Sequence, residues 1–299
     1  MNLLPASEFT LEELTDAYNR TRTDYIIPMP MNPSRLLEYI TLFDVSLSAS
    51  RVAIVEGEIV GLGMLGLRPG QGWITRLGVL PGGRRRGVGG AILEQLLEQA
   101  KARDASVVWL EVIHGNRPAH ELFRKFGFDE TRELIVGRRP PNVPHNVTAI
   151  MNANIIDYLH HEEVIEHHCT RCVRANWLND ISSMRNVRKL ATAVAEDISV
   201  SGILHEAPRL SGIAIEFQEG SQGWVTFQVT AHQLKRINVE VTRGEPTETT
   251  AKLLQFLHRL HSSQDAIVEN VPEDEQWIGF QRAGYFETFR RIEMAKSLR

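Results

Sequence analysis

The residues best suited to chemistry lie in one run: Val79-Leu80-Pro81-Gly82-Gly83-Arg84-Arg85-Arg86-Gly87-Val88-Gly89-Gly90. Trp73 to Leu80 reads as a strand, with β-branched and aromatic residues ahead of a proline that cannot continue a ladder. Behind the loop, Ile92, Leu93, Leu96, Leu97 and Ala100 fall at helical spacing. The run is therefore strand, glycine-rich turn, helix N-terminus. The first amides of a helix have no internal partner, and the helix dipole leaves that end partly positive. With no side chains at Gly87, Gly89 and Gly90, an anion can approach the backbone closely. Arg84, Arg85 and Arg86 add positive charge. The chemistry predicted is the binding of a diphosphate or a similar polyanion.

The common phosphate motifs do not fit. A Walker loop needs a Gly-Lys pair, and none occurs. A dinucleotide fingerprint needs G-x-G-x-x-G, of which Gly87-Val88-Gly89 supplies only the first part. A second block follows downstream. Val107 to Ile113 is a strand candidate, and Asn116 to Phe128 reads as a helix with Pro118 in its first turn and Gly127 at its stop. The pattern V-x-P-x-x-R-x-x-G-x-G is carried by Val79, Pro81, Arg84, Gly87 and Gly89. With Asn116, Ala119, Leu122, Phe123, Gly127 and Phe128 in order behind it, the chain resembles the GCN5-related N-acetyltransferase (GNAT) superfamily.

That resemblance implies acetyl-CoA as co-substrate and direct transfer of its acetyl group to a primary amine of a small molecule or peptide. It lays the edge of Leu77-Gly78-Val79 along the amide-bearing arm of the coenzyme, with the amide of Val79 or Leu80 polarising the thioester carbonyl. The amides of Arg84, Arg85, Arg86, Gly87, Val88, Gly89 and Gly90 then hold the diphosphate, and Asn116 touches the arm or orients the strand splay. Phe123 stands where many relatives place a tyrosine acid. Phenylalanine has no proton to give, so Tyr25 becomes the substitute acid. The attacking amine needs a base. Glu111 and His114 are the candidates, on opposite faces by strand alternation. The missing acid keeps two alternatives open: an acetyl-CoA-sensing protein without turnover, and a transferase of another acyl group.

The elements that must position these residues can be read in order. Thr10 to Arg22 forms a helix with a Thr10/Glu13 capping box, and a second helix runs from Ser34 to about Val45. The apolar, proline-bearing Tyr25 to Met31 between them suits a pocket wall. Val52 to Val55 and Ile59 to Leu67 form a hairpin across Glu56-Gly57-Glu58. Leu134 to Arg138 is a strand, and Val147 to Met151 a return strand. This order predicts an α+β fold: a mixed, mostly antiparallel sheet flanked by helices.

The C-terminal part repeats the pattern. Gly284-Tyr285-Phe286-Glu287-Thr288 stands in register with Gly127-Phe128-Asp129-Glu130-Thr131, an offset of 157 residues. The same offset brings Arg86-Gly87 onto Arg243-Gly244 and Leu96-Leu97 onto Leu253-Leu254 without a gap. Two tandem acetyltransferase-like domains are expected, residues 1–150 and 151–299. The second copy has Pro246 for Gly89, and Val241 and Thr242 for Arg84 and Arg85, so it is expected to lack a working coenzyme site. Since Arg299 maps onto Asn142, Val147 to Met151 is expected to complete the second domain's sheet.

Composition sets the remaining bounds. The chain has 299 residues, room for two ordinary domains, and a net charge of -4, which does not suggest nucleic acid as partner. With two cysteines, Cys169 and Cys172, a disulfide framework is excluded. His160, His161, His167 and His168 beside them invite a zinc site, but all lie on a few helical turns with no second ligand pair, and no metal is expected. Nothing reads as a signal peptide or membrane span, so a cytoplasmic location without membrane partner is expected, as monomer or homodimer.

Overall fold

Local rules set the first elements. The Thr10 hydroxyl accepts from the Glu13 amide at 3.2 Å while the Glu13 carboxylate accepts from the Thr10 amide at 2.8 Å, so the capping box starts helix α1, Leu11–Arg20. Helix α2, Pro33–Leu42, starts one residue before Ser34, because Asn32 caps it and Pro33 fills the first helical position. It stops short of Val45, which bridges to Gly66 instead. The computed structural model describes residues 1–141, 152–169, 176–196 and 209–298.

Strand β1, Asn2–Pro5, pairs antiparallel with β2, Arg51–Val55, and was not evident in the sequence pattern. Strands β2, β3 (Glu58–Arg68) and β4 (Gln71–Val79) form an antiparallel meander. Helix α3, Val88–Lys101, then crosses to β5, Val107–Ile113, which runs parallel to β4. Helix α4, Arg117–Lys125, and strand β6, Asp129–Arg139, follow. On one face of the sheet, Ile92, Leu93, Leu96 and Ala100 of α3 pack with Leu65, Ile74, Val108, Leu110 and Val112. Each such side chain, fully buried, contributes roughly 1.5–3 kcal/mol.

The later elements are β7 (Ala153–Leu159), α5 (His161–Cys169), α6 (Ile181–Glu196), β8 (Leu210–Phe217), β9 (Gln222–Val229) and β10 (Gln233–Arg243). After them come α7 (Pro246–Leu260), β11 (Asp265–Pro272), α8 (Glu275–Arg282) and β12 (Phe286–Ser297). The repeat holds in three dimensions. Helix α7 answers α3, β11 answers β5, α8 answers α4 and β12 answers β6. Gly127 and Gly284 both stop their helices at positive φ, 80° and 94°. Leu253, Leu254 and Leu257 of α7 pack with Ile213, Val225 and Phe227, as their counterparts on α3 do.

The chain forms two compact units that are not simply its two halves. The first takes Met1–Thr131 together with Ile292 onward, and the second takes Arg132–Ala191 and Pro208–Arg291. In the first unit the strand order is β1-β2-β3-β4-β5-β12, and in the second β12-β6-β11-β10-β9-β8-β7. Strands β6 and β12 each have residues in both units, β6 up to Thr131 and β12 from Ile292 in the first, the rest in the second. In the first, the Thr131 hydroxyl donates to the Glu293 carbonyl at 3.0 Å, and in the second, Thr288 donates to the Val136 carbonyl at 2.7 Å. Val147 to Met151 lies outside the described residues. Among those described, it is β6 that pairs with β11, with Ala266 opposite Arg139 and Pro272 opposite Leu134.

Ile292 and Met294, near the end of the chain, belong to the first unit's core with Ile92 and Leu96. Met294→Ala is expected to destabilise the protein by about 2–5 kcal/mol, as much as Leu96→Ala. Urea unfolding of both variants checks this. A loss below about 0.5 kcal/mol for Met294→Ala, the range of ordinary surface positions, would contradict the shared strand.

Candidate active site

Three local features of the first unit converge. The first is the helix start. Gly87 occupies the cap position of α3 at φ 83°, a conformation that only glycine adopts without strain, and no side chain caps the helix. The first turn closes with the Ala91 amide on the Gly87 carbonyl at 3.0 Å, so the amides of Val88, Gly89 and Gly90 precede the ladder. A Cβ on Gly89 or Gly90 would meet only ordinary contacts, at 3.5 Å and 3.6 Å. Internal packing therefore does not require glycine at either position, and both remain partly exposed.

The second feature is a strand edge. Strands β4 and β5 pair only from Gln71 opposite Val107 to Ile74 opposite Leu110. Beyond that, β4 carries a bulge against β3, where Arg76 takes φ 54°, and the parallel pairing ends. Leu77, Gly78 and Val79 lie along the splayed edge. The Leu80 amide donates to the Val60 carbonyl at 2.8 Å and is committed to β3. Strand alternation then turns the Val79 amide to the opposite, unpaired edge. Of the two amides expected to polarise a carbonyl, the structure leaves Val79 available.

The third feature is the loop between α1 and α2. Its backbone bonds come from α1 side chains: the Tyr18 hydroxyl donates to the Met29 carbonyl at 3.0 Å, and Asn19 holds Met31 through both its amide and its carbonyl at 2.9 Å. This loop carries Tyr25, whose hydroxyl accepts from the Asn116 amide at 3.3 Å. Asn116 also caps α4, its carbonyl oxygen accepting from the Ala119 amide at 3.4 Å. Two residues marked by the sequence, 91 positions apart, meet at the mouth of the splay.

Other expected residues have different roles. Arg84 is not directed at the helix start. It grips Asp24 through two nitrogens at 2.6 Å and 2.7 Å and donates to the Thr21 carbonyl at 3.2 Å and the Val79 carbonyl at 3.1 Å. The pairing with Arg84 holds the Asp24 carboxyl below the usual carboxylate range. Arg84 therefore clasps the loop to the end of β4, while exposed Arg85 and Arg86 carry the free positive charge. Glu111 sits on the α2 side of β5, accepting from the Trp73 indole at 2.9 Å. Trp73 in turn contacts Tyr39 and Phe43 at 5.9 Å and 5.8 Å between ring centroids. His114 is exposed in the turn after β5, past the strand on which alternation placed it. Phe123 is buried against Phe128 in the α3 core, 6.1 Å between ring centroids.

Sequence reading missed Arg22, Asp24, Tyr39 and Arg76. Arg76 donates to the Tyr18 hydroxyl at 3.2 Å and lies 4.1 Å from the Tyr39 ring centroid. No local pattern marks these residues, since each partner comes from another element.

The second unit has the same helix start with the opposite outcome. Helix α7 is capped by Glu245, whose carboxylate accepts from the amides of Thr247 at 3.0 Å and Glu248 at 2.6 Å. Those two amides hold the Glu245 carboxyl below its usual range. Pro246 sits at the first helical position, one place earlier than the offset of the repeat suggests. The proline removes one donor and the carboxylate takes two more. Of the histidine and cysteine cluster, His161 accepts from the Leu210 amide at 3.1 Å. The side chains of His167, His168, Cys169 and Cys172 lie outside the described residues. Among the described residues no group of three or more His, Cys, Asp or Glu is placed to hold a metal, and no helix is long and apolar enough to cross a membrane.

A parallel strand pair joined through a helix, built twice in one chain, defines a tandem GNAT-like fold. Over 99% of this chain and 98% of the other, it is similar to a tandem GNAT protein from the clavulanic acid biosynthesis pathway, with TM-score 0.64 at 14% identity. A GCN5-related N-acetyltransferase from Sphaerobacter thermophilus matches over 100% of this chain and 96% of that one, with TM-score 0.67 at 14% identity. Residues 11–128 match the sequence model of the acetyltransferase (GNAT) family. An N-alpha-acetyltransferase of Sulfurisphaera tokodaii is 34% identical over 96 residues, which are 28% of this chain and 58% of that relative's length.

Glu245→Ala is expected to lower the midpoint of urea unfolding, because two amides of the first turn lose their acceptor. An unchanged midpoint would mean that the carboxylate does not serve the helix.

Proposed function

We propose that this protein is an N-acetyltransferase that moves the acetyl group of acetyl-CoA to a primary amine by direct attack, with its working site in the first unit. The observation that carries this reading is the uncapped, glycine-bared start of α3 beside the unpaired edge of β4. A diphosphate suits the free amides of Val88, Gly89 and Gly90, with Arg85 and Arg86 supplying charge. The amide-bearing arm suits the edge of Leu77 to Val79. The Val79 amide would donate to the thioester oxygen as negative charge develops there.

The step balances simply. The amine nitrogen forms a bond to the thioester carbon, the carbon–sulfur bond breaks, and sulfur leaves with the electron pair. The amine gives up its proton, and Glu111 is better placed than His114 to take it, directly or through water, because it faces the α1/α2 side of the sheet. Tyr25, held by Asn116, is the acid for the departing thiolate. A thiol with a pKa of roughly 8.5 leaves readily, so this help is modest. In the second unit, Glu245 and Pro246 occupy or remove the donors that a diphosphate would need, and we assign no coenzyme site there.

One observation favours a second reading, a coenzyme sensor without turnover: Phe123 is buried in the core and offers no proton. Calorimetry with acetyl-CoA, followed by a thiol-release assay over amines, separates the two. Tight binding with no thiol released for any acceptor would favour the sensor.

Two variants test the assignment. Gly89→Pro, tolerated in a first helical turn, removes one amide and is expected to abolish acetyl-CoA binding by calorimetry while the circular dichroism stays unchanged. Unchanged affinity would falsify the diphosphate site. Tyr25→Phe is expected to lower kcat about tenfold or more at neutral pH, with the loss reduced at high pH where the thiolate needs no acid. A pH-independent loss would point to positioning through Asn116 instead.

A further inference from the structure

The search turns on one charge in the first unit. Arg22 follows directly on α1 and reaches across the splayed edge. Its Nη1 donates to the Thr21 hydroxyl at 2.9 Å and its Nη2 to the Leu77 carbonyl at 3.5 Å. Its guanidinium carbon lies 4.0 Å above the Tyr18 ring and 5.4 Å from that of Tyr25. Gly78 makes the crossing possible: a Cβ there would lie 2.5 Å from the Thr21 hydroxyl and 2.9 Å from Arg22 Nη1.

What Arg22 lacks is a counterion. Three other arginines of this unit pair with carboxylates: Arg84 with Asp24 at 2.6 Å, Arg68 with Asp44 at 2.8 Å, and Arg20 with Asp16 at 3.5 Å. Among the described residues Arg22 makes no ion pair; around its half-buried guanidinium stand Tyr18, Tyr25 and Tyr39, and the neighbouring charge of Arg76 is of the same sign. Burial, and then the neighbouring Arg76 cation, lower its pKa, yet a guanidinium stays charged throughout the physiological range. A cation removed from water without a partner is costly. It also keeps more donors than its present bonds use. An anion arriving from outside would relieve both deficits.

We propose that Arg22 binds a carboxylate of the acceptor, so that the substrate is an amino carboxylate rather than a plain amine. This rests on the acyltransferase reading above. The spacing supports it. Leu77, beside Arg22, is two strand residues from Val79, about 7 Å. That interval separates the carboxylate-binding cation from the amide that polarises the acetyl carbonyl. It suits an amine only a few bonds from its carboxylate. Partly exposed Tyr25 flanks the cation, so the linking carbons meet an aromatic side chain there.

The test uses the full chain. Acetyl-CoA affinity is measured first by calorimetry. Thiol release is then followed for the free amino acids, for short amino carboxylates with a more distant amine, and for the matching amides. The expected result is turnover of at least one acid, with kcat/KM for its amide lower by about tenfold or more, the usual scale of a charged hydrogen bond. Arg22→Gln should raise KM for that acid by a similar factor, leave KM for the amide unchanged, and leave acetyl-CoA affinity intact. Arg22→Lys should keep part of the preference. Equal rates for acids and amides, turnover of plain amines alone, or a parallel loss of coenzyme affinity in Arg22→Gln would overturn the proposal. If that variant does not fold, the ratio of acid to amide on the unaltered enzyme decides the matter. Absence of acetyl-CoA binding to the unaltered chain would instead remove the acyltransferase reading, and this proposal with it.

Discussion

Everything proposed for the first unit depends on hydrogen-bond donors left without acceptors at the start of α3. A helix must begin somewhere, and its first amides must be satisfied by a side chain, by water or by a ligand. Here the cap is Gly87, which offers no side chain, and the following turn is Val88-Gly89-Gly90. The two glycines after Val88 are not demanded by neighbours. The fold thus presents a positive, bare surface where most helices present a serine or an aspartate. A polyanion satisfies that surface without any rearrangement of the backbone.

The second unit shows how little separates such a site from an ordinary helix start. Its helix α7 begins after Gly244 at φ 114°, as α3 begins at Gly87 with φ 83°. One carboxylate, from Glu245, turns two free donors into two satisfied ones and places negative charge where an anion would have come. Backbone shape alone does not make the site. Its electrostatics depend on whether the cap residue supplies its own acceptor.

Charge placement in the first unit follows the same logic. Arg84, the arginine within the loop motif, is neutralised by Asp24 and works as a clasp, so the polyanion proposed for this site would meet the amides, Arg85 and Arg86 instead. Arg22, outside any motif, makes no ion pair among the described residues. Motif membership and electrostatic availability are separate properties, and the fold decides the second.

Much of this could be read before any coordinates. Periodicity and capping located α1, α3 and β5, because these signals are local: Thr10 needs only Glu13, and the stripe of Ile92, Leu93 and Leu96 needs only its own spacing. The repeat was legible because Gly127 and Gly284 solve the same helix-stop problem with the only residue that does so cheaply. The glycine loop raised the expectation of an anion site because absent side chains are visible in a sequence. What tertiary structure alone decided is every property that joins distant segments. The bulge at Arg76, the commitment of the Leu80 amide to Val60, the meeting of Tyr25 with Asn116 and the capture of Arg84 by Asp24 each need a partner from another element. Sequence determines which backbone donors a local segment leaves open, whereas only packing determines which of them find an acceptor.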